Sequence, residues 1–226
     1  MKTENVTGAD FSFEKINDFD QHINMSIPMY ENIWDIVKNM STYFINDNTN
    51  VYDIGCSTGA ELNKLATETT CENVKFIGYD IADNLLNSEK TDKIVKYKND
   101  ITDKNVKFNN ASMILSIFTI QFIDAKDKLD TLKKVYDGLN AGGAFIITEK
   151  IYLDDGKMQD VFTFTYYDFK KSQFTSEEIL GKQSKLRKIM KNNTQSEMEQ
   201  MLKKVGFKRI QPFFQSLNFI GWVCIK

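Results

Sequence analysis

Ten residues, Val51-Tyr52-Asp53-Ile54-Gly55-Cys56-Ser57-Thr58-Gly59-Ala60, restrict the fold of this chain more than any other stretch. An apolar run ending in Asp53 and Ile54, a turn on Gly55, and a second glycine at Gly59 read as a strand, a tight loop and the start of a helix. Only a residue without Cβ lets backbone come close to a nucleotide-like ligand and still turn. The helix that starts near Ala60 would aim its free N–H groups back at whatever the loop holds.

The spacing is D-x-G-x-x-x-G, not the G-x-G-x-x-G of a dinucleotide fingerprint. The loop of a class I S-adenosylmethionine (AdoMet) enzyme accepts D-x-G-C-S-x-G and has no pyrophosphate to cradle. A strand followed by a turn with two structural glycines is the other reading, and the residues beyond the loop decide between them. Val74 to Asp80 is a compact second strand ending in an acid 21 positions beyond Gly59. In a βαβ unit an acid there faces a ribose and accepts from its two hydroxyls. Coupled to the loop, Asp80 makes the ligand-binding reading the informative one.

The 226 residues suffice for one α/β domain with an appended segment and a real core. Lys+Arg 29 against Asp+Glu 31 leaves a net charge of −2, so no basic field invites nucleic acid. No apolar run approaches the ~18 residues that span a membrane, and the polar start of the chain lacks a secretory core. Cys56, Cys71 and Cys224 are scattered without a C-x-x-C pair, which points away from disulfides and metal and toward a reducing cytoplasm. The one histidine, His22, reads as a surface or packing residue rather than a catalytic base.

Taken in order, residues 1 to about 10 read as unstructured and Phe11 to Tyr30 as an amphipathic helix. Pro28 then suits the first turn of a second helix, with Ser26 as its cap and Tyr30 as either a packing aromatic or a lid. Strands follow at Asn50–Ile54, Val74–Asp80, Ile94–Tyr97, Ala111–Phe118 and Ala144–Glu149. Asp100, just past the third, is either a contact to an adenine amino group or a turn cap. The helix over 126–139 is expected to stop on the glycines at Gly138 to Gly143. Residues 151 to 190 are dense in aromatics with Lys182, Lys185, Arg187 and Lys188 behind them, reading as an inserted cover or as core packing. A helix capped by Ser196 and ended by Gly206 precedes a terminal pair, Phe207–Phe214 and Phe219–Ile225. The alternation argues an α/β, Rossmann-like, doubly wound, seven-stranded sheet, mostly parallel with a reversed last strand. It is one domain over 1–226, with a helical cap at about 11–45 and a helical insertion at about 151–190.

The chain resembles the carboxy-S-adenosylmethionine synthase family over about residues 11 to 226. The residues that carry the likeness are Ser26 to Tyr30, Val51 to Ala60, Asn110 to Met113, Phe118 to Phe122, Gly138 to Ala144 and Thr148 to Lys150. Asp168-Phe169-Lys170 and Asn218-Phe219 extend it. The resemblance implies a class I methyltransferase fold, a possible homodimer, and a carboxylated AdoMet made from AdoMet and prephenate for modification of a tRNA wobble uridine. It implies ligand contacts from Tyr30, Gly55, Cys56, Ser57, Asp80, Ile81, Asp100 and Ile101; Asp53, Gly59 and Ile117 are further cofactor-binding candidates. Two family positions differ. A strand-four asparagine falls on Ile117, and the arginine that pairs with the extra carboxylate falls on Gln183 or Ser184.

A guanidinium holds a carboxylate by paired charge-assisted bonds of about 1.5–3 kcal/mol each, which a neutral amide does not replace. The expectation is therefore ordinary AdoMet and methyl transfer to a small-molecule acceptor. The alternatives are a synthase that takes its cation from Lys182, Lys185 or Arg187, and a non-catalytic AdoMet-binding subunit. Methyl transfer needs alignment and exclusion of water more than a base. Tyr30, Tyr166, Tyr167 and Asp168 are the acceptor-side candidates, with no metal, no membrane and no direct nucleic-acid contact expected.

Overall fold

A computed structural model of the chain describes residues 19–86 and 93–226. The expected disorder over 1–10 and the helical positions Phe11 and Ile16 lie outside those residues. The first helices are α1 (Phe19–Ser26) and α2 (Tyr30–Phe44). Ser26 does not cap α2. It closes α1, and its backbone carbonyl accepts the Tyr166 phenol at 2.8 Å. Met29, with φ 61°, makes the turn into α2 without a side-chain cap.

The strands are β1 (Asn50–Ile54), β2 (Lys75–Asp80), β3 (Ile94–Lys98), β4 (Ala111–Ile117), β5 (Leu139–Lys150), β6 (Arg209–Ser216) and β7 (Phe219–Ile225). They form one sheet in the order β3-β2-β1-β4-β5-β7-β6. β1 to β5 pair in parallel, and β7 runs antiparallel between β5 and β6. The reversed strand thus sits where the sequence leads one to expect it. Connecting helices are α3 (Ala60–Glu68), the short α4 (Asp83–Leu86), α5 (Ala125–Gly138), α6 (Gly156–Lys170), α7 (Ser176–Ile189) and α8 (Gln195–Val205).

Alternate side chains of each strand leave on opposite faces, so the apolar strands feed two cores. Tyr52, Ile54, Ile114, Phe145 and Ile147 meet Leu132 and Val135 of α5 and Leu202 and Val205 of α8, with Trp222 among them. Val51, Met113, Leu115 and Ile146 meet Ile33, Trp34 and Val37 of α2 and Leu62 and Leu65 of α3.

Two helix ends differ from expectation. α5 leaves Gly138 straight into extended Leu139, and the left-handed glycine is Gly142, inside β5, with φ 80°. The register between β4 and β5 shifts there, so β5 begins earlier than Ala144. α8 is capped by Thr194, not Ser196: Glu197 N donates to the Thr194 hydroxyl at 3.3 Å, and Thr194 N donates to the Glu197 carboxylate at 2.9 Å. That reciprocal pair satisfies two backbone donors at once, whereas Glu199, the acid that would complete a box from Ser196, accepts the Trp222 indole N–H and the Gln195 side-chain amide instead.

Candidate active site

The carboxyl ends of β1 to β5 share one edge of the sheet, and strand order reverses between β1 and β4. A crevice of about 700 Å³ opens along that edge, where doubly wound sheets bind ligands. Its floor is the glycine loop. Gly55, with φ 77°, passes so close to Thr119 that a Cβ there would lie 2.1 Å from the threonine hydroxyl. The amides of Gly55 and Cys56 both donate to the Tyr79 carbonyl, at 2.7 and 3.1 Å, which ties the loop to the end of β2. Ser57, with φ 51°, donates its amide to Asp80 Oδ2 at 2.8 Å, while Ala82 N donates to Asp80 Oδ1 at 2.9 Å. The acid is therefore held by two backbone bonds with its remaining lone pairs toward the crevice.

Two further features fit an adenosyl ligand. The Ser57 hydroxyl is buried with no protein partner, and a native buried polar atom calls for an explanation. Ile81 is 68% exposed and lines the crevice together with Tyr79 and Ile101. An apolar side chain left open beside a carboxylate suits the face of a base with a sugar attached.

Asp53 sits under this loop, 4% exposed. Burial, then the charges of Asp80 and Glu61, push its carboxyl up to about 8. Free protein thus holds Asp53 protonated at neutral pH. A cationic sulfonium ligand favours the carboxylate, so binding should release a proton. AdoMet affinity is expected to rise from about pH 6 to about pH 8 and level off above, by up to about tenfold per pH unit. Asp53→Asn should flatten that slope. Titration calorimetry in buffers of different ionisation enthalpy reads the proton directly.

Of the residues singled out in the sequence, Tyr30, Asp53, Gly55, Cys56, Ser57, Asp80, Ile81, Asp100, Ile101, Ile117 and Tyr166 all line this crevice. Asp100 is a turn cap, its Oδ1 accepting from Thr102 N at 2.8 Å, and it also borders the cavity. Gly59 does not face the ligand space. It packs on β3, where a Cβ would lie 2.9 Å from Ile94 and Lys96. Tyr167 and Asp168 are likewise turned away. Tyr167 packs on Phe164 and Tyr166, and Asp168 is exposed and paired with Lys171 at 2.7 Å. Tyr166 borders the crevice, but burial raises its phenol well above the ordinary tyrosine value, and its proton is committed to Ser26. It is a wall, not a base.

A family model for a methyltransferase domain matches residues 52–145. A carboxy-S-adenosyl-L-methionine synthase of Staphylococcus epidermidis is 38% identical over 95% of both chains. The chain belongs to the carboxy-S-adenosyl-L-methionine synthase family. A synthase of Histophilus somni is 33% identical, covering 96% of this chain and 94% of its own. Solved structures give the same fold. A SAM-dependent methyltransferase of Aquifex aeolicus superposes with TM-score 0.59 and 13% identity, over 93% of this chain and 99% of its own. A phosphoethanolamine N-methyltransferase of Haemonchus contortus, in complex with S-adenosyl-L-methionine, gives 0.62 and 15%, over 87% and 53%. Family membership makes this chain an AdoMet-dependent enzyme of the class I methyltransferase superfamily.

Against that family, the position that matters is the missing arginine. Gln183 and Ser184 are not among the residues that border the crevice, and neither are Lys185 and Arg187; Lys182, one step before Gln183 on α7, is. Its ammonium lies against His22 Nε2 and 3.4 Å from the Ser26 hydroxyl. Burial and Lys170 lower Lys182 to about 8, and burial with Lys182 and Lys170 lowers His22 to about 4. His22 is thus a neutral, partly buried ring at the crevice wall, packed edge-on against Phe174 at 5.5 Å. Sequence reasoning also passed over Lys150 and Lys170, although both sit in motifs that carry the resemblance. A lysine's charge reads as solvated until the fold buries it. Gln121 lies in another of those motifs, and its part is structural: its Oε1 accepts from Lys150 N at 2.7 Å and its carbonyl from Lys191 N at 2.6 Å.

Among the described residues no group of three His, Cys, Asp or Glu is arranged to hold a metal, and no helix is long and apolar enough to cross a membrane.

Proposed function

We propose that the chain is a working carboxy-S-adenosyl-L-methionine synthase, joining a carboxyl group to the methyl carbon of AdoMet. The observation that carries this reading is Lys182: a cation reaches the crevice one residue from the position where the family's arginine is absent. The loss of that guanidinium was the ground for expecting ordinary methyl transfer, and Lys182 removes it. In this reading Asp80 takes the ribose hydroxyls, Ile81, Asp100 and Ile101 border the base, and Asp53, Gly55, Cys56 and Ser57 lie under the sulfonium end with Tyr30 and Ile117 above it. The chain acts as one domain, with α1–α2 and α6–α7 covering the crevice against water.

The reaction balances with prephenate as donor. The AdoMet methyl loses a proton and gains carbon dioxide; prephenate loses carbon dioxide and its ring hydroxyl, which leaves with that proton as water, giving phenylpyruvate. The residues' contribution is to bind and orient both reactants out of water. Incubation with AdoMet and prephenate, followed by mass spectrometry, is expected to give a product heavier than AdoMet by one carbon dioxide. Lys182→Met should lower kcat/KM by about tenfold to a hundredfold, and Lys182→Arg should retain most of it. Unchanged AdoMet under these conditions, or S-adenosylhomocysteine appearing with an acceptor acid, would return the chain to the methyl-transfer reading.

A further inference from the structure

Lys150 and Lys170 are 9% and 4% exposed, and both border the crevice. Lys150 is the last residue of β5, and Lys170 the last of α6. Their ammonium groups lie 4.7 and 5.5 Å from the centroid of the same ring, that of Tyr166. Among the described residues no carboxylate pairs with either, and neither ammonium makes a hydrogen bond to protein. Burial and mutual repulsion lower Lys150 to about 8, and burial lowers Lys170, with no acid opposing the shift. Ring faces compensate part of the cost of desolvating a cation, yet two like charges at one buried ring remain unfavourable without an anion.

Place separates this pair from the adenosyl subsite. From β2, which carries Asp80, to β5, which ends in Lys150, the sheet crosses β1 and β4, three interstrand steps or roughly 14 Å. That is longer than the reach from a ribose to the sulfonium of one AdoMet, so a second molecule fits beyond it. The walls there are aromatic. Phe118 and Phe219 meet edge-to-face at 5.7 Å, and Tyr166 meets Phe219 at 5.2 Å. A bare inorganic anion has no use for such walls.

We propose that Lys150 and Lys170, with the Phe118, Tyr166 and Phe219 rings, form the subsite for the carboxylate of the second reactant, and that they select a ring-bearing organic acid. The inference rests on the synthase reading for what that acid donates, but not for its binding. The full chain, saturated with AdoMet, would be titrated calorimetrically with phenylpyruvate and, separately, with inorganic phosphate. Phenylpyruvate is expected to bind and phosphate to bind at least about tenfold more weakly. Lys150→Met and Lys170→Met should each weaken phenylpyruvate binding by about tenfold to a hundredfold while leaving AdoMet affinity within about twofold.

Thermal unfolding supplies the readout a merely structural lysine would not give. Removing an unpaired buried charge should leave the midpoint unchanged or raise it, whereas losing a structural tether would lower it. Phosphate binding as tightly as phenylpyruvate, or unchanged phenylpyruvate affinity in both variants, overturns the proposal. So does a fall in AdoMet affinity equal to the fall for the acid. If no carboxylated product ever forms but acid binding still depends on both lysines, the synthase reading fails and the subsite stands. If product forms and the KM for prephenate ignores both lysines, the reverse holds.

Discussion

Asp80→Ala is expected to weaken AdoMet binding by at least about a hundredfold. The carboxylate is held ready by the Ser57 and Ala82 amides at 2.8 and 2.9 Å, so its free lone pairs are aimed before the ligand arrives. Two charge-assisted bonds to a ribose, at about 1.5–3 kcal/mol each, exceed the ~2.7 kcal/mol that a hundredfold requires. The substitution also leaves the Ser57 amide without its acceptor, which loosens the residue whose hydroxyl has no protein partner. Asp80→Asn keeps one acceptor oxygen and should lose about tenfold. A second consequence distinguishes binding from collapse of the loop. Asp80 is one cause of the raised Asp53 carboxyl, so either variant should move the pH dependence of AdoMet affinity toward acid. Calorimetry over a pH series checks both effects, and an Asp80→Ala affinity within about threefold of the wild type would remove Asp80 from the ligand.

Trp222→Ala is expected to carry the largest stability loss, about 3–5 kcal/mol. Trp222 is fully buried in β7, the reversed strand that joins β5 to β6. Its ring fills the core between that strand and α8, against Leu202 and Val205, and its indole N–H donates to Glu199 Oε1 at 3.2 Å. Truncation leaves a cavity bounded by two elements that cannot close independently, because β7 is pinned on both edges. Against a total stability of ~5–15 kcal/mol this is a large fraction, and the thermal midpoint should fall by about 10 °C. Trp222→Phe should lose much less. Urea unfolding followed by circular dichroism measures both. AdoMet affinity in the surviving folded fraction should hold, since Trp222 does not border the crevice.

The parts of the fold legible in the sequence are those where local chemistry and tertiary demand coincide. The loop at Gly55 was readable because only glycine tolerates φ 77° with Thr119 against it. The all-apolar run of β4 was readable because a strand covered on both faces has no polar side to show. Where two local solutions compete, the fold chose. Ser26 is a good cap by composition, yet its carbonyl is taken by Tyr166, 140 positions away, and the chain turns at Met29 instead. The box from Thr194 to Glu197 was present in the sequence, and Ser196 beside it drew the boundary too far along.

The site divides along the same line. Chain order alone was enough to set Asp53, Gly55, Ser57 and Asp80 around one crevice, because a βαβ unit brings the ends of adjacent strands together whatever else the chain does. It could not say that Asp168 faces water, nor that Lys182 rather than Gln183 turns inward, since these depend on the rotation of α6 and α7 against the sheet. Nor could it say that Lys150 and Lys170 meet at one ring. A lysine's type fixes its charge, but whether that charge is solvated, paired or left waiting for an anion is decided by what three dimensions bring beside it.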